Sequence, residues 1–138
     1  MRVVADTNVL ISGALWRGPS HRIIELAEAG EATLCVTEPI LEELKGVLQR
    51  RKFQARLRTL RTSSEEILAG LLPLVELYQS VDASGSVPFD PDDEMFIACA
   101  VSAGAAFIIS GDTHLLRLKQ YGAIRIVKPT EFLRLIEK

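Results

Sequence analysis

The sequence predicts an α/β fold in which a mainly parallel sheet is covered by helices on both faces. Three observations carry that expectation. Short apolar runs alternate along the chain with longer segments of helical spacing, the pattern of parallel strands joined by crossover helices. The first run, Val3-Val4-Ala5, shows no polar alternation, as expected of a central strand buried on both faces. Of the 138 residues, 48% are apolar and 25% charged, a balance that supplies a core and argues against disorder. A chain of this length buries roughly two-thirds of its unfolded surface, enough for one domain over residues 1–138.

The elements follow in order. Residues 2–5 read as the first strand, and a short turn of helix follows Asn8. Pro19-Ser20 opens a helix carrying Ile23, Ile24, Leu26 and Ala27, and Gly30 closes it. Residues 32–36 form a second strand. Thr37 caps the next helix, with Pro39 in its first turn. That helix runs to about residue 50, with Ile40, Leu41, Leu44, Val47 and Leu48 on one face. A basic segment, 50–61, is partly helical. Ser63 and Glu66 match a capping box for a helix through Leu72. Residues 74–78 are a third strand, and 80–91, rich in Ser, Gly and Pro, the longest loop. Residues 92–103 are helical and apolar almost all round, hence buried. A strand over 106–109, a short helix over 113–120, a last strand over 124–127 and a last helix over 129–136 complete the chain.

Several function classes are excluded at this level. The formal net charge of −2 is not that of a uniformly basic nucleic-acid binder. Cys35 and Cys99 each sit in an apolar run, so they read as buried free thiols, with no zinc or redox-dithiol spacing. The N-terminus reaches Asp6 after a single Arg2, unlike a signal peptide. The longest uncharged stretch, 95–111, is divided by Gly104 and reads as a buried helix, a turn and a buried strand, not a membrane span. A cytoplasmic location is expected.

Carboxylates carry the chemistry. In open parallel sheets, sites form at the carboxyl ends of strands. Asp6 follows the first strand, and Asp112 follows the 106–109 strand after Ser110-Gly111. Glu43 lies about 100° from the centre of its helix's apolar stripe, at the buried boundary, whereas Glu42 lies about 160° away and faces water. Asp93 shares a helix face with Ile97 and Ala100 and so projects toward the core side. An inward carboxylate there needs a cation or hydrogen bonds. Its neighbours Asp90 and Asp92 read as loop or cap residues. Asp6, Glu43, Asp93 and Asp112 together offer hard oxygen ligands, which suit Mg²⁺ or Mn²⁺ and not Zn²⁺. Such ions activate water for in-line displacement at phosphorus. Carboxylate spacing alone does not separate phosphodiester from phosphomonoester chemistry.

Four motifs in order resemble those of PIN-domain nucleases. They are Val4-Ala5-Asp6-Thr7-Asn8-Val9-Leu10, Glu42-Glu43-Leu44, Asp90-Pro91-Asp92-Asp93 followed by Phe96-Ile97-Ala98-Cys99-Ala100, and Ile108-Ile109-Ser110-Gly111-Asp112 leading into Leu115-Leu116. The resemblance is nearest to the VapC-like toxin components of bacterial and archaeal toxin–antitoxin pairs. It implies a three-layer α/β/α sandwich and a metal-dependent endoribonuclease that hydrolyses RNA phosphodiester bonds. It also implies a homodimer inhibited by a cognate antitoxin protein. Carried over residue by residue, Asp6, Glu43, Asp93 and Asp112 match the catalytic and metal-binding acids, and Asn8 and Ser110 the supporting polar positions. His114 departs from the pattern, standing where related sequences often carry another Asp.

Arg50, Arg51, Lys52, Arg56, Arg58 and Arg61 place six positive charges in twelve residues with no acid among them, a candidate phosphate-tracking patch. Phe53 and Leu57, spaced i,i+4, are expected to pack inward. Trp16 reads as a packing or dimer-contact residue. Arg17, His21, Arg117 and Lys119 are further candidates for contact with backbone phosphate, and His114 for positioning phosphate or donating a proton. Two alternatives stand beside the nuclease. An aspartyl-phosphate phosphatase also places an Asp after its first strand, but usually a second Asp two positions on, where this chain has Asn8. A noncatalytic RNA- or protein-binding module on the same fold is the other.

Overall fold

A computed structural model describes residues 1–80 and 91–137. Six strands form one sheet: β1 (Arg2–Ala5), β2 (Thr33–Val36), β3 (Val75–Leu77), β4 (Phe107–Ile109), β5 (Gln120–Tyr121) and β6 (Ile124–Val127). Among the described residues the α-helices are α1 (Thr7–Leu15), α2 (Pro19–Glu28), α3 (Glu38–Leu48), α4 (Arg51–Thr59), α5 (Ser64–Leu71), α6 (Pro91–Ala103), α7 (Thr113–Leu116) and α8 (Pro129–Ile136). The strand order is β3-β2-β1-β4-β6-β5, parallel throughout except for the antiparallel β5–β6 pair. The expected α/β class and mainly parallel sheet are therefore present.

The order contains a topological switch. From β1 the chain winds outward through β2 to β3, then returns to lay β4 on the other side of β1. Val3, Val4 and Ala5 pair with Phe107, Ile108 and Ile109. The carboxyl ends of β1 and β4 thus splay their following segments apart, and a crevice forms between them. This is where Asp6 and the stretch Ser110-Gly111-Asp112 fall.

Alternation along the strands builds the three layers. Val3, Ala5, Ile109 and Val127 pack with α1, α2 and α8 through Leu10, Ile11, Ile23 and Phe132. Val4, Ile108 and Ile126 pack with α6 and α7 through Ile97, Cys99, Ala100 and Leu115. Because β1 is buried on both faces, its apolar run has no polar alternate. Helix α3 contributes Leu44, Val47 and Leu48 to the first core and Ile40 to the second. It therefore brings Glu43 to the boundary between them.

The structure corrects four expectations. The helix after the first strand is not a short turn following Asn8 but nine residues, Thr7–Leu15. Its residues Thr7, Val9, Leu10, Ile11, Gly13 and Leu15 are all buried, so it lacks the one-sided stripe by which helices are read. The helix expected over 113–120 ends at Leu116. Lys119 takes φ of 62° and Gln120 pairs with Arg125 in a hairpin closed at Gly122, whose φ is 58°. That hairpin supplies β5, which the sequence reading lacked. Thr37 occupies the cap position of α3, yet its side chain makes no capping bond and its Oγ1 has no partner among the described residues. Pro39, at the second helical position, lacks one of the N–H groups a cap oxygen normally accepts from. By contrast, Ser63 does accept from the Glu66 N–H, at 3.2 Å. The expected loop over 80–91, with Asp90, falls largely outside the described residues.

Candidate active site

Asp6 ends β1 and caps α1. Its Oδ1 accepts from the Val9 N–H at 2.8 Å, and its own N–H donates to the Ile109 carbonyl at 2.9 Å. A carboxylate at this position answers the unpaired N–H groups of the first helical turn. The second oxygen, Oδ2, accepts from the hydroxyl of Ser110, which is fully buried on the neighbouring strand's end. Ser110 Oγ also accepts from the Asp112 N–H at 2.9 Å. One hydroxyl therefore ties the ends of β1 and β4 together. Asp112 caps α7 by accepting from the His114 N–H at 2.8 Å. The two candidate acids at the switch thus stand on N-terminal helix caps, linked through Ser110.

Glu43 enters from α3. Its Oε1 accepts from Thr7 Oγ1 at 2.6 Å. Glu42, one residue earlier, points outward and pairs with Lys45 at 3.4 Å, as its angle on the helix predicted. Asp93 arrives on the first turn of α6 and is only 7% exposed. Asp6, Thr7, Asn8, Glu43, Arg50, Asp93 and Asp112 line a single cleft of about 200 Å³, walled by Val47, Phe96 and Leu115. The four acids come from four separate parts of the chain, and the fold gathers all of them at the switch point. Ser110 stands behind Asp6 and does not line the cleft; Asn8 does.

Burial raises the Asp6 carboxyl above its ordinary value of 3.8, opposed by the Ser110 hydroxyl and by the Val9 and Gly111 N–H groups, and reinforced by the negative charge of Asp112. Removing a carboxylate from water costs energy unless donors or a cation replace that water. The donor set suits a hard divalent cation: all-oxygen carboxylates, with neither Cys nor His in the cleft wall. As placed, each of Asp6, Glu43 and Asp112 is held by a donor of its own. Among the described residues, no three acidic, His or Cys side chains close on one another tightly enough to hold an ion as they stand. Like charges spread apart unless a cation draws them in.

The sequence matches the PIN domain over residues 2–114. The chain belongs to the PIN-domain family. Members of that family are typically nucleases, and PIN domains generally use divalent metals. Solved structures similar to this PIN domain in fold include two at 14% and 17% identity. One is VapBC2 from Rickettsia felis bound to a DNA fragment from its promoter, at 14% identity and a TM-score of 0.60, covering 91% of this chain and 97% of that one. The other is PAE2754 from Pyrobaculum aerophilum, at 17% identity and a TM-score of 0.68, covering 100% of this chain and 91% of that one. No curated protein matches the sequence.

The basic segment of this PIN domain divides into two roles. Arg50 lines the cleft wall, and Arg51 and Lys52 are exposed on the first turn of α4. Arg56 instead donates from Nε to the Leu15 carbonyl at 2.8 Å and lies 5.5 Å over the Trp16 ring. It holds α4 against the end of α1. Phe53 and Leu57 are buried, as their spacing predicted, and Trp16 packs 6.3 Å from Phe53 while staying 40% exposed. Arg117 caps the end of α7 and is exposed. His21 Nδ1 lies 2.9 Å from the Gly13 carbonyl, at the α1–α2 contact and not among the residues lining the cleft. Cys35 and Cys99 are buried and free. Among the described residues, no helix is long and apolar enough to cross a membrane. Sequence reasoning missed Thr7 and Phe96 as cleft residues. Thr7 was discoverable: it follows Asp6 directly, so a helix capped by Asp6 must begin with it.

Proposed function

We propose that this PIN domain is a Mg²⁺- or Mn²⁺-dependent endoribonuclease and the toxin of a toxin–antitoxin pair. The observation that carries the reading is the convergence of Asp6, Glu43, Asp93 and Asp112 on one cleft beside Arg50. Membership of a nuclease family supports it, as does likeness of fold to a structure described as VapBC2. The four carboxylates are the residues that would hold the cation, and their hard oxygens fit Mg²⁺ or Mn²⁺. Such an ion, once bound, would supply an activated water and charge neutralisation at phosphorus.

The chain's own groups do the rest. Arg50 offers a cation at the cleft wall for a backbone phosphate, and Arg51 and Lys52 extend the positive charge along the start of α4. Asn8 presents a neutral donor and acceptor to the substrate or to water in the cleft. Val47, Phe96 and Leu115 form the apolar part of the wall beside the acids. Ser110 holds Asp6 from behind. The proposed partners are an RNA substrate, a cognate antitoxin protein that inhibits the enzyme, and a second copy of the chain.

The test is cleavage of defined RNA by purified wild type beside Asp6→Asn, with Mg²⁺, with Mn²⁺ and with chelator, and with RNA ends mapped. Cleavage that requires the ion and disappears in Asp6→Asn is the expected result. Equal cleavage by both proteins would remove Asp6 from the site. In cells, toxicity of wild type is expected to vanish in Asp93→Asn, and toxicity equal in both would exclude cleavage as its cause.

A further inference from the structure

We propose that Thr7 is a positioning residue for Glu43, its buried hydroxyl setting the carboxylate's direction and thereby the cleft's affinity for a divalent cation. This rests on reading the cleft as a metal site. Thr7 is only 2% exposed, and its Oγ1 lies 2.6 Å from Glu43 Oε1, across 36 residues of sequence. An ionised carboxylate is an acceptor only, so the hydroxyl must be the donor. The length is that of a charge-assisted O–H···O⁻ bond. Thr7 is the first residue of α1, so no preceding helical turn offers a carbonyl to compete for the hydroxyl.

The adjacent residues Asp6 and Thr7 therefore act on two of the four acids. Asp6 supplies one carboxylate, and Thr7 fixes another that arrives on a different helix. Glu43 is half-buried on α3 and has three rotatable side-chain bonds. Ordering it before an ion arrives removes that cost from the binding step. Partners that orient a ligand in this way typically change metal affinity by about 10- to 100-fold.

The experiment measures Mn²⁺ binding by calorimetry to wild type, Thr7→Val, Thr7→Ala, Thr7→Ser and Asp6→Asn, with folding of each followed by circular dichroism and thermal melting without metal. Thr7→Val and Thr7→Ala are expected to bind Mn²⁺ about 10- to 100-fold more weakly than wild type, with Thr7→Ser within about threefold of it. Should Thr7→Val fail to fold, the Ser and Ala variants, which differ by one oxygen atom, carry the comparison. Wild-type affinity in Thr7→Val or Thr7→Ala overturns the positioning role and leaves the metal reading intact. So does Thr7→Ser binding no better than Thr7→Ala, because the effect would then be one of packing. A wild type that binds Mn²⁺ no better than Asp6→Asn overturns the metal reading and the role of Thr7 with it.

Discussion

Replacing Ser110 with Ala removes one oxygen that makes two bonds at the switch point. The bond to Asp6 has a charged acceptor, worth about 1.5–3 kcal/mol, and the bond from the Asp112 N–H is an ordinary one, about 0.5–1.5 kcal/mol. The expected cost at pH 7–8 is therefore about 2–4.5 kcal/mol, large against the roughly 5–15 kcal/mol of a typical domain. The cost should depend on pH, and its sign follows from Asp6. Burial raises the folded-state pKa of Asp6, so the folded chain holds that proton more tightly than the unfolded chain. Its contribution to stability is full below the unfolded value and is lost as pH rises through the folded value. Ser110 opposes that rise, so deleting it moves the folded value higher and deepens the loss above it. The Ser110→Ala penalty should then shrink as pH falls from 8 to 4, by up to about 1 kcal/mol, as the charged bond becomes a neutral one. Urea unfolding of wild type and Ser110→Ala at both pH values measures this. Repeating the pair in an Asp6→Asn background should show coupling of about 0.5–3 kcal/mol. A penalty that is the same at both pH values and unaffected by Asp6→Asn would refute the reasoning.

Further outcomes follow from the packing and from the cleft wall. In Gly13→Ala, the new Cβ would lie 2.6 Å from the Ser20 carbonyl oxygen and 2.8 Å from Ile24 Cγ1. Overpacking against backbone, roughly 1–3 kcal/mol, outweighs the 0.5–1 kcal/mol or so that alanine gains in a helix. Denaturant melts should show net destabilisation with Mn²⁺ affinity retained; a stabilised variant would show that α1 and α2 are not so closely set. Burial pushes the Cys35 thiol up to about 11 and the Cys99 thiol up to about 12, so both stay protonated at pH 8. A chromogenic disulfide reagent should find neither until urea is added, and rapid reaction of the native protein would contradict that burial. Arg50→Ala should weaken RNA binding with little change in melting temperature. Arg56→Ala should destabilise the fold by about 1–2 kcal/mol, since it gives up the Leu15 carbonyl and the Trp16 ring. Identical effects of the two on RNA binding and on melting would merge the roles the structure separates.

The strands other than β5, together with α2, α3, α6 and α8, were legible because their apolar residues recur with the period of a face or fill a run buried on both sides. Asp6, Glu43, Asp93 and Asp112 were legible for related reasons: two follow strands, and two sit at helix angles that turn a carboxylate inward. Buried positions without periodicity were not legible. Helix α1 is enclosed on nearly every side, so its true length is set by the layers around it, not by its own pattern. The end of α7 depended on a hairpin that exists only because Gln120 meets Arg125.

By itself, the sequence determined which residues alternate, which are acidic and where most helices begin, because these depend on local spacing and backbone chemistry. Tertiary structure alone decided that β4 returns beside β1 and so opens one cleft to four distant acids. It also decided that Thr7 holds Glu43, that Ser110 holds Asp6, and that Arg56 serves the fold while Arg50 faces the cleft. These contacts span 36, 104 and 41 residues, and no local spacing encodes a distance that only the closing of the sheet creates.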